Sequence, residues 1–217
     1  MRILDLNQSI EPHMPRYPGT PGPEFSSLSS IAEGGFAERL YTFSSHTGTH
    51  IDLPSHMIEN GRSLDDFPIE RFYGKGCVVD VRMAAGESIS AAFLHRFEEQ
   101  LRLCEYLLFC SGWSSYWGTA RYFEDYPVLS PDAARWLCGF NLKGIGFDMI
   151  SADAAGDDRY PVHNLLLEKG LIIVENLCSL SVLLSCHFTF CCFPLKISGA
   201  EAVPVRAVAL VDENGNP

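Results

Sequence analysis

No run of Lys or Arg occurs in this chain of 217 residues; its 16 basic residues stand singly among 27 acidic ones, for a net charge of −11. Such a surface repels a phosphate backbone or an anionic membrane, so neither nucleic acid nor a membrane is expected as a partner. No Cys-x-x-Cys spacing occurs among the eight cysteines, and most sit beside Leu, Val or Phe. They are expected as buried thiols behaving as small hydrophobes, and the adjacent pair Cys191-Cys192 suggests no function. The opening Met1-Arg2-Ile3-Leu4-Asp5 lacks the long apolar core of a secretory leader. A reducing, cytoplasmic setting is therefore expected. Absent too is a Gly-x-Ser-x-Gly elbow, which Ser111-Gly-Trp-Ser114 does not supply, so a serine nucleophile is a poor reading. Charge is missing from Leu177 to Leu195, close to the ~20 residues of a bilayer span. Five Ser, His and Thr residues interrupt that stretch and Pro194 stops it; a buried helix and strand is expected instead.

What is present is an ordinary globular composition, 47% hydrophobic and 12% aromatic, with no repeat or low-complexity segment. One domain over residues 1–217 is expected. A strand at 2–6 leads into a proline- and glycine-rich loop, 12–23, in which Tyr17 is a candidate for contact with substrate. Alternating aromatic and β-branched residues predict strands at 36–43 and 47–53. Buried strands follow at 76–81, 106–110, 144–148 and 171–175. Between them lie helices at 90–101, capped by Ser90, at 130–138, capped by Ser130 with Pro131 next, and at 161–169, stopped by Gly170. Strand, helix, strand implies parallel crossovers. Further strands are expected at 188–197 and 203–211, and the whole reads as a β-rich α/β chain with a mixed sheet and flanking helices.

Histidine is scarce, seven in all, yet His46, His50 and His56 fall within eleven residues together with Asp52. Neutral imidazoles and a carboxylate are the usual ligands of zinc and neighbouring divalent ions, so the cluster points to a metal site. Residues 46, 50, 52 and 56 share parity and face one side of an extended strand. His50 and Asp52 are then ~7 Å apart at Cα, but His46 lies ~13 Å from His50 on a straight strand. The chain must turn near Gly48 for one ion to reach all three. Thr47 and Thr49 are expected to hold that turn. Three ligands from one segment leave coordination positions open, the mark of a catalytic site. Of the other histidines, His95 and His187 read as structural, whereas His163, at a helix start, and Glu175, at a strand end, are candidates to complete the site. Spacing alone leaves that pair open.

The run His46-x-Gly-Thr-His50-x-Asp52-x-Pro-x-His56 resembles the signature of the cyclase family of metal-dependent hydrolases, which includes bacterial kynurenine formamidase. The likeness extends through Tyr17-Pro-Gly, Gly146-Phe-Asp148, Ser151-x-Asp153, Glu175-Asn-Leu177 and Pro194-Leu-Lys. It implies that His46, His50 and Asp52 bind a metal, that His163 and Glu175 complete a two-metal site bridged by Asp52, and that His56 transfers protons. It also implies a β-rich α/β fold of swivelling β/β/α type and a homodimer or homotetramer. Two positions depart: Tyr17 stands where tryptophan is usual, and Thr20 where an acid is usual.

The expected activity is hydrolysis of an amide C–N bond by water made reactive by one or two divalent ions, zinc or manganese. The resemblance implies an arylformamidase of tryptophan catabolism, turning N-formylkynurenine into kynurenine and formate. The alternatives are the same chemistry on another cyclic or linear amide or a lactone-like ring, and a homologue that binds metal or a small molecule without turnover.

Overall fold

The computed structural model describes residues 1–84 and 88–212. Its strands are β1 (Arg2–Asp5), β2 (Glu24–Ser29), β3 (Glu38–Thr42), β4 (His50–Asp52), β5 (Tyr73–Asp80), β6 (Ser88–Ile89), β7 (Tyr106–Cys110), β8 (Val128–Leu129), β9 (Gly144–Phe147), β10 (Ile172–Glu175), β11 (Phe188–Pro194) and β12 (Ala202–Val211). Eight form one mixed sheet in the order β1-β12-β11-β5-β7-β9-β10-β4, and β4 pairs with β12 as well, so seven strands close into a barrel. As the strand-helix-strand pattern predicts, β5, β7, β9 and β10 are parallel. The remaining members of the ring, β4, β11 and β12, join antiparallel.

Side chains alternate across the barrel wall, as strand geometry requires. Leu108, Val174, Ile51, Val203 and Phe190 meet inside. Phe109, Ile145, Phe147 and Ile173 face outward, beneath Ala133 and Leu137 of one helix, Pro131–Leu137, and Leu166 of another, Pro161–Glu168. Gly146 makes room for the inner layer. A Cβ there would lie 2.5 Å from Leu108 Cδ2 and 2.7 Å from Leu177 Cδ1.

Several expected elements change in detail. The helix begins at Ser90, whose hydroxyl accepts from Phe93 N, but it is interrupted by a 3-10 turn at His95–Phe97. There Arg96 Nε donates to the Phe93 carbonyl, the acceptor that an unbroken helix offers to Phe97 N. The strand expected at 36–43 is β3, which pairs with β2 in a separate hairpin and exposes Leu40 and Tyr41. The uncharged stretch 177–195 holds a 3-10 turn, Leu180–Leu183, and β11. No described helix is long and apolar enough to cross a membrane. All eight cysteines are free; Cys104, Cys110, Cys191 and Cys192 are buried and the other four partly so. His187, expected as structural within an apolar run, is exposed.

Candidate metal centre

Strand β4 is wedged between two partners. His50 lies opposite Glu175 of β10 and Pro204 of β12, and Asp52 lies opposite Ile173 and Ala202. Since Ile51 and Val174 point into the barrel, His50, Asp52 and Glu175 point together to its outer face. All three are buried there, as is His163.

The bend expected at Gly48 is present, with φ at +62°. A Cβ at this position would also sit 3.0 Å from Ile10 Cγ1, so the left-handed turn and its packing both favour glycine. Asn176 locks the turn to the end of β10: its Nδ2 donates to the Gly48 carbonyl and its own carbonyl accepts from Thr49 Oγ1. Tyr122 in turn donates to Asn176 Oδ1. The turn carries His46 back, placing its Nδ1 2.9 Å from Asp52 Oδ1. His56 follows on the 3-10 turn Pro54–His56, its ring centroid 4.2 Å from that of His46 and 6.3 Å from that of His163.

His163 arrives from the first turn of helix 161–168. Asp153 caps this helix, accepting from Val162 N and His163 N, and its Oδ2 lies 2.7 Å from His163 Nδ1. The other ring nitrogen of His163 then lies 3.2 Å from Glu175 Oε1 and 3.6 Å from Asp52 Oδ2. His50 is held in the same way: Nδ1 is 2.9 Å from the Gly48 carbonyl, while Nε2 lies 3.4 Å from Asp52 Oδ1 and 3.6 Å from Glu175 Oε2. His50 and His163 thus spend Nδ1 on the scaffold and turn Nε2 inward, whereas His46 turns Nδ1 towards Asp52.

Some of the inward-facing atoms lack hydrogen bonds. His50 Nε2 and Asp52 Oδ2 are buried without a hydrogen bond of good geometry, and Asp52 Oδ1 has only the His46 ring, at 2.9 Å; a buried polar group left unpaired costs roughly 1–3 kcal/mol. Two ligands of one tetrahedral ion, each ~2.1 Å from it, are ~3.4 Å apart, which matches the separations just given. Ligand atoms of His46, His50 and Asp52 lie within 4.8 Å of one another, and so do those of Asp52, His163 and Glu175. The donor set therefore fits one or two divalent cations, with Asp52 common to both groups.

The electrostatics agree. Burial would lower the His163 pKa, but contacts with Asp153, Asp52 and Glu175 hold it well above the usual imidazole range. Burial would raise Asp52, yet His50, His163 and His46 hold it well below the usual carboxylate range. The cluster favours positive charge. His56 differs: burial lowers it, with Asp52 opposing and His46 and His163 adding to the fall.

A cavity of about 340 Å³ opens onto these groups, walled by Tyr17, Met57, Ile150 and Tyr160, with Arg16 and Thr20 also lining it. Burial, and next a hydrogen bond with Tyr160, push the Tyr17 phenol up to about 12. All seven residues singled out from the sequence thus meet at one cavity. Asp153, Asn176 and Tyr160 belong to the same setting without having been assigned a part. Asp153 and Asn176 lie within the stretches of family likeness, Ser151-x-Asp153 and Glu175-Asn-Leu177, whereas only the place of Tyr160 just before the helix that bears His163 could have marked it.

The Cyclase family model matches residues 4–154. The kynurenine formamidase of Bacillus thuringiensis subsp. konkukian is 33% identical, over 94% of this chain and 95% of its own length. That of Salinibacter ruber is 29% identical, over 96% of this chain and 97% of its own. In structure, isatin hydrolase A from Ralstonia solanacearum is similar with a TM-score of 0.85 and 27% identity, over 97% of this chain and 92% of its own.

Proposed function

This chain belongs to the cyclase family, and from that premise we propose that it is a metal-dependent hydrolase that cleaves the C–N bond of an aryl amide, most favourably an N-formyl arylamine such as N-formylkynurenine. The observation that carries the reading is the gathering of buried His50, Asp52, His163 and Glu175, with His46, into two groups of ligand atoms within 4.8 Å of one another beside the cavity, where His50 Nε2 has no hydrogen bond. Relatives named kynurenine formamidase support the linear formamide. The isatin hydrolase likeness favours a second reading, a cyclic aryl amide, by the same chemistry.

His46, His50 and Asp52 would hold one ion, and Asp52, His163 and Glu175 a second; zinc is favoured and manganese suits the same donors. Bound there, a divalent ion supplies Lewis acidity, acidifying water and polarising a carbonyl. The residues of the chain do the rest. Tyr17, Met57, Ile150 and Tyr160 enclose the aryl group and exclude solvent, which strengthens every charge interaction inside. His56, beside His46 and not occupied in either ligand group, accepts a proton from the attacking water. It passes that proton to the nitrogen as the C–N bond breaks, releasing formate and the free amine.

The same proposal includes a homodimer or homotetramer, supported by the exposed apolar residues Ile31, Phe36 and Leu40 on and beside the β2–β3 hairpin. It also includes a cytoplasmic setting, supported by eight free thiols. Metal analysis of the purified protein, then chelation and metal add-back during hydrolysis of a formanilide, tests the central reading. Activity should vanish with the chelator and return with zinc or manganese. Turnover that ignores the chelator, or a protein that binds no metal, would overturn it.

A further inference from the structure

Arg16 stands apart from the other charged groups near the metal centre. Among the described residues its exposed guanidinium makes no hydrogen bond and no ion pair, a condition it shares with Arg2 and Arg39. Its position gives that isolation a use. With Pro15 and Tyr17 it forms the partition between the 340 Å³ metal cavity and a second cleft of about 390 Å³.

This outer cleft runs from the loop that carries Arg16 to the segment Gly118–Phe123, and no acidic residue lines it. In a chain of net charge −11, Arg16 thus faces a cleft whose lining offers no carboxylate to offset it. His13 adds an imidazole to its wall, and Phe123 an apolar surface. Pro15, Arg16 and Tyr17 line both spaces, so Arg16 is at their boundary.

We propose that the outer cleft is a second compartment of the binding site, that it receives an anionic substituent of the substrate, a carboxylate by chemical class, and that the Arg16 guanidinium is its counter-charge. This rests on the reading of the inner cavity as an aryl-amide hydrolase site. A guanidinium suits the task because its planar fork matches a carboxylate bidentately and keeps its charge at every relevant pH. Phe123 covers the methylene chain that links the anion to the ring. The chain thereby selects anionic aryl amides over neutral ones of equal size.

The test uses the metal-loaded protein and two formanilides that carry the same three-carbon ortho chain, one ending in a carboxylate and the other in a primary amide. The ratio of their kcat/KM values is measured for the native chain, Arg16→Gln and Arg16→Lys. The compartment predicts a ratio of about ten or more in favour of the carboxylate, carried by KM. It should fall towards one in Arg16→Gln, stay intermediate in Arg16→Lys, and shrink at high salt. A ratio near one in the native chain, or one that Arg16→Gln leaves unchanged, overturns the proposal while the hydrolase reading stands. Failure to hydrolyse either compound would instead sink the hydrolase reading. Calorimetric binding of 4-phenylbutanoate against 4-phenylbutanamide to the same three proteins then decides the compartment by the same ratio.

Discussion

His50 and Glu175, 125 positions apart in the chain, are direct cross-strand partners of β4 and β10, with Nε2 of the one 3.6 Å from Oε2 of the other. That separation is close to the ~3.4 Å between two ligands of one tetrahedral ion. Asp52 and His163 complete the ring at similar distances, and the first prediction concerns the cation it would hold. Asp52→Asn should abolish stoichiometric metal in elemental analysis, because Asp52 alone belongs to both groups. The native chain at a free zinc concentration 100 times Kd should gain about 2.7 kcal/mol of stability. Asp52→Asn should gain almost none, and an equal rise in its Tm would refute the assignment.

His56 is close to the ligands but belongs to neither group. His56→Ala should therefore keep its metal and lose about 10²–10⁴-fold in kcat. If kcat holds and metal content falls, His56 is a ligand and not the proton carrier.

Asp153 spends its carboxylate on two helix N–H groups and the His163 ring. Asp153→Asn can satisfy only part of that set, since an amide has one acceptor oxygen. Metal affinity measured by competition with a chromophoric chelator should drop roughly 10–100-fold, while Asp132→Asn, on the exposed face of another helix, should leave it in place. Equal affinities in the two variants would remove Asp153 from the site.

Asp148 is buried, and burial pushes its carboxyl up to about 6, although Ser111 and Gly112 donate hydrogen bonds that favour the charged form. Its pKa is higher folded than unfolded, so its contribution is fully present below pH ~4 and is lost as pH rises through about 6. A shift of about two units corresponds to roughly 3 kcal/mol. Unfolding free energies from urea titration should shift in favour of Asp148→Asn over the native chain by up to that amount between pH 4 and 7. A constant difference across that range would contradict the buried-acid account.

The β2–β3 hairpin has only two strands and exposes Leu40 and Tyr41; such ribbons are marginal alone in water. Leu40→Glu should shift the chain towards monomer in light scattering, with its circular dichroism preserved. An unchanged mass would place the interface elsewhere.

Part of the fold and most of the site could be read from residue order. Helix starts at Ser90 and Ser130 follow from hydroxyls that accept from nearby N–H groups, and capping is a matter of a few adjacent residues. The parallel run of β5, β7, β9 and β10 follows from strands separated by helical sequence. The hairpin was harder, because the alternation in residues 36–43 suggests a strand with one face buried, whereas β3 is exposed along its length. Local alternation cannot reveal that a strand has no sheet behind it.

The sequence by itself determined the candidate ligand set of this protein: which side chains cluster around residue 50, that Gly48 must bend between them, and that His50 and Asp52 share a face. Those are consequences of backbone geometry over a few residues. Tertiary structure alone decided that β4 closes the barrel between β10 and β12, which sets Glu175 against His50 and lets Asn176 and Asp153 hold the Gly48 turn and the His163 ring. It also decided that Arg16 stands between two cavities. Register between strands more than a hundred residues apart is settled by how both faces of the sheet are buried, and no local pattern encodes that.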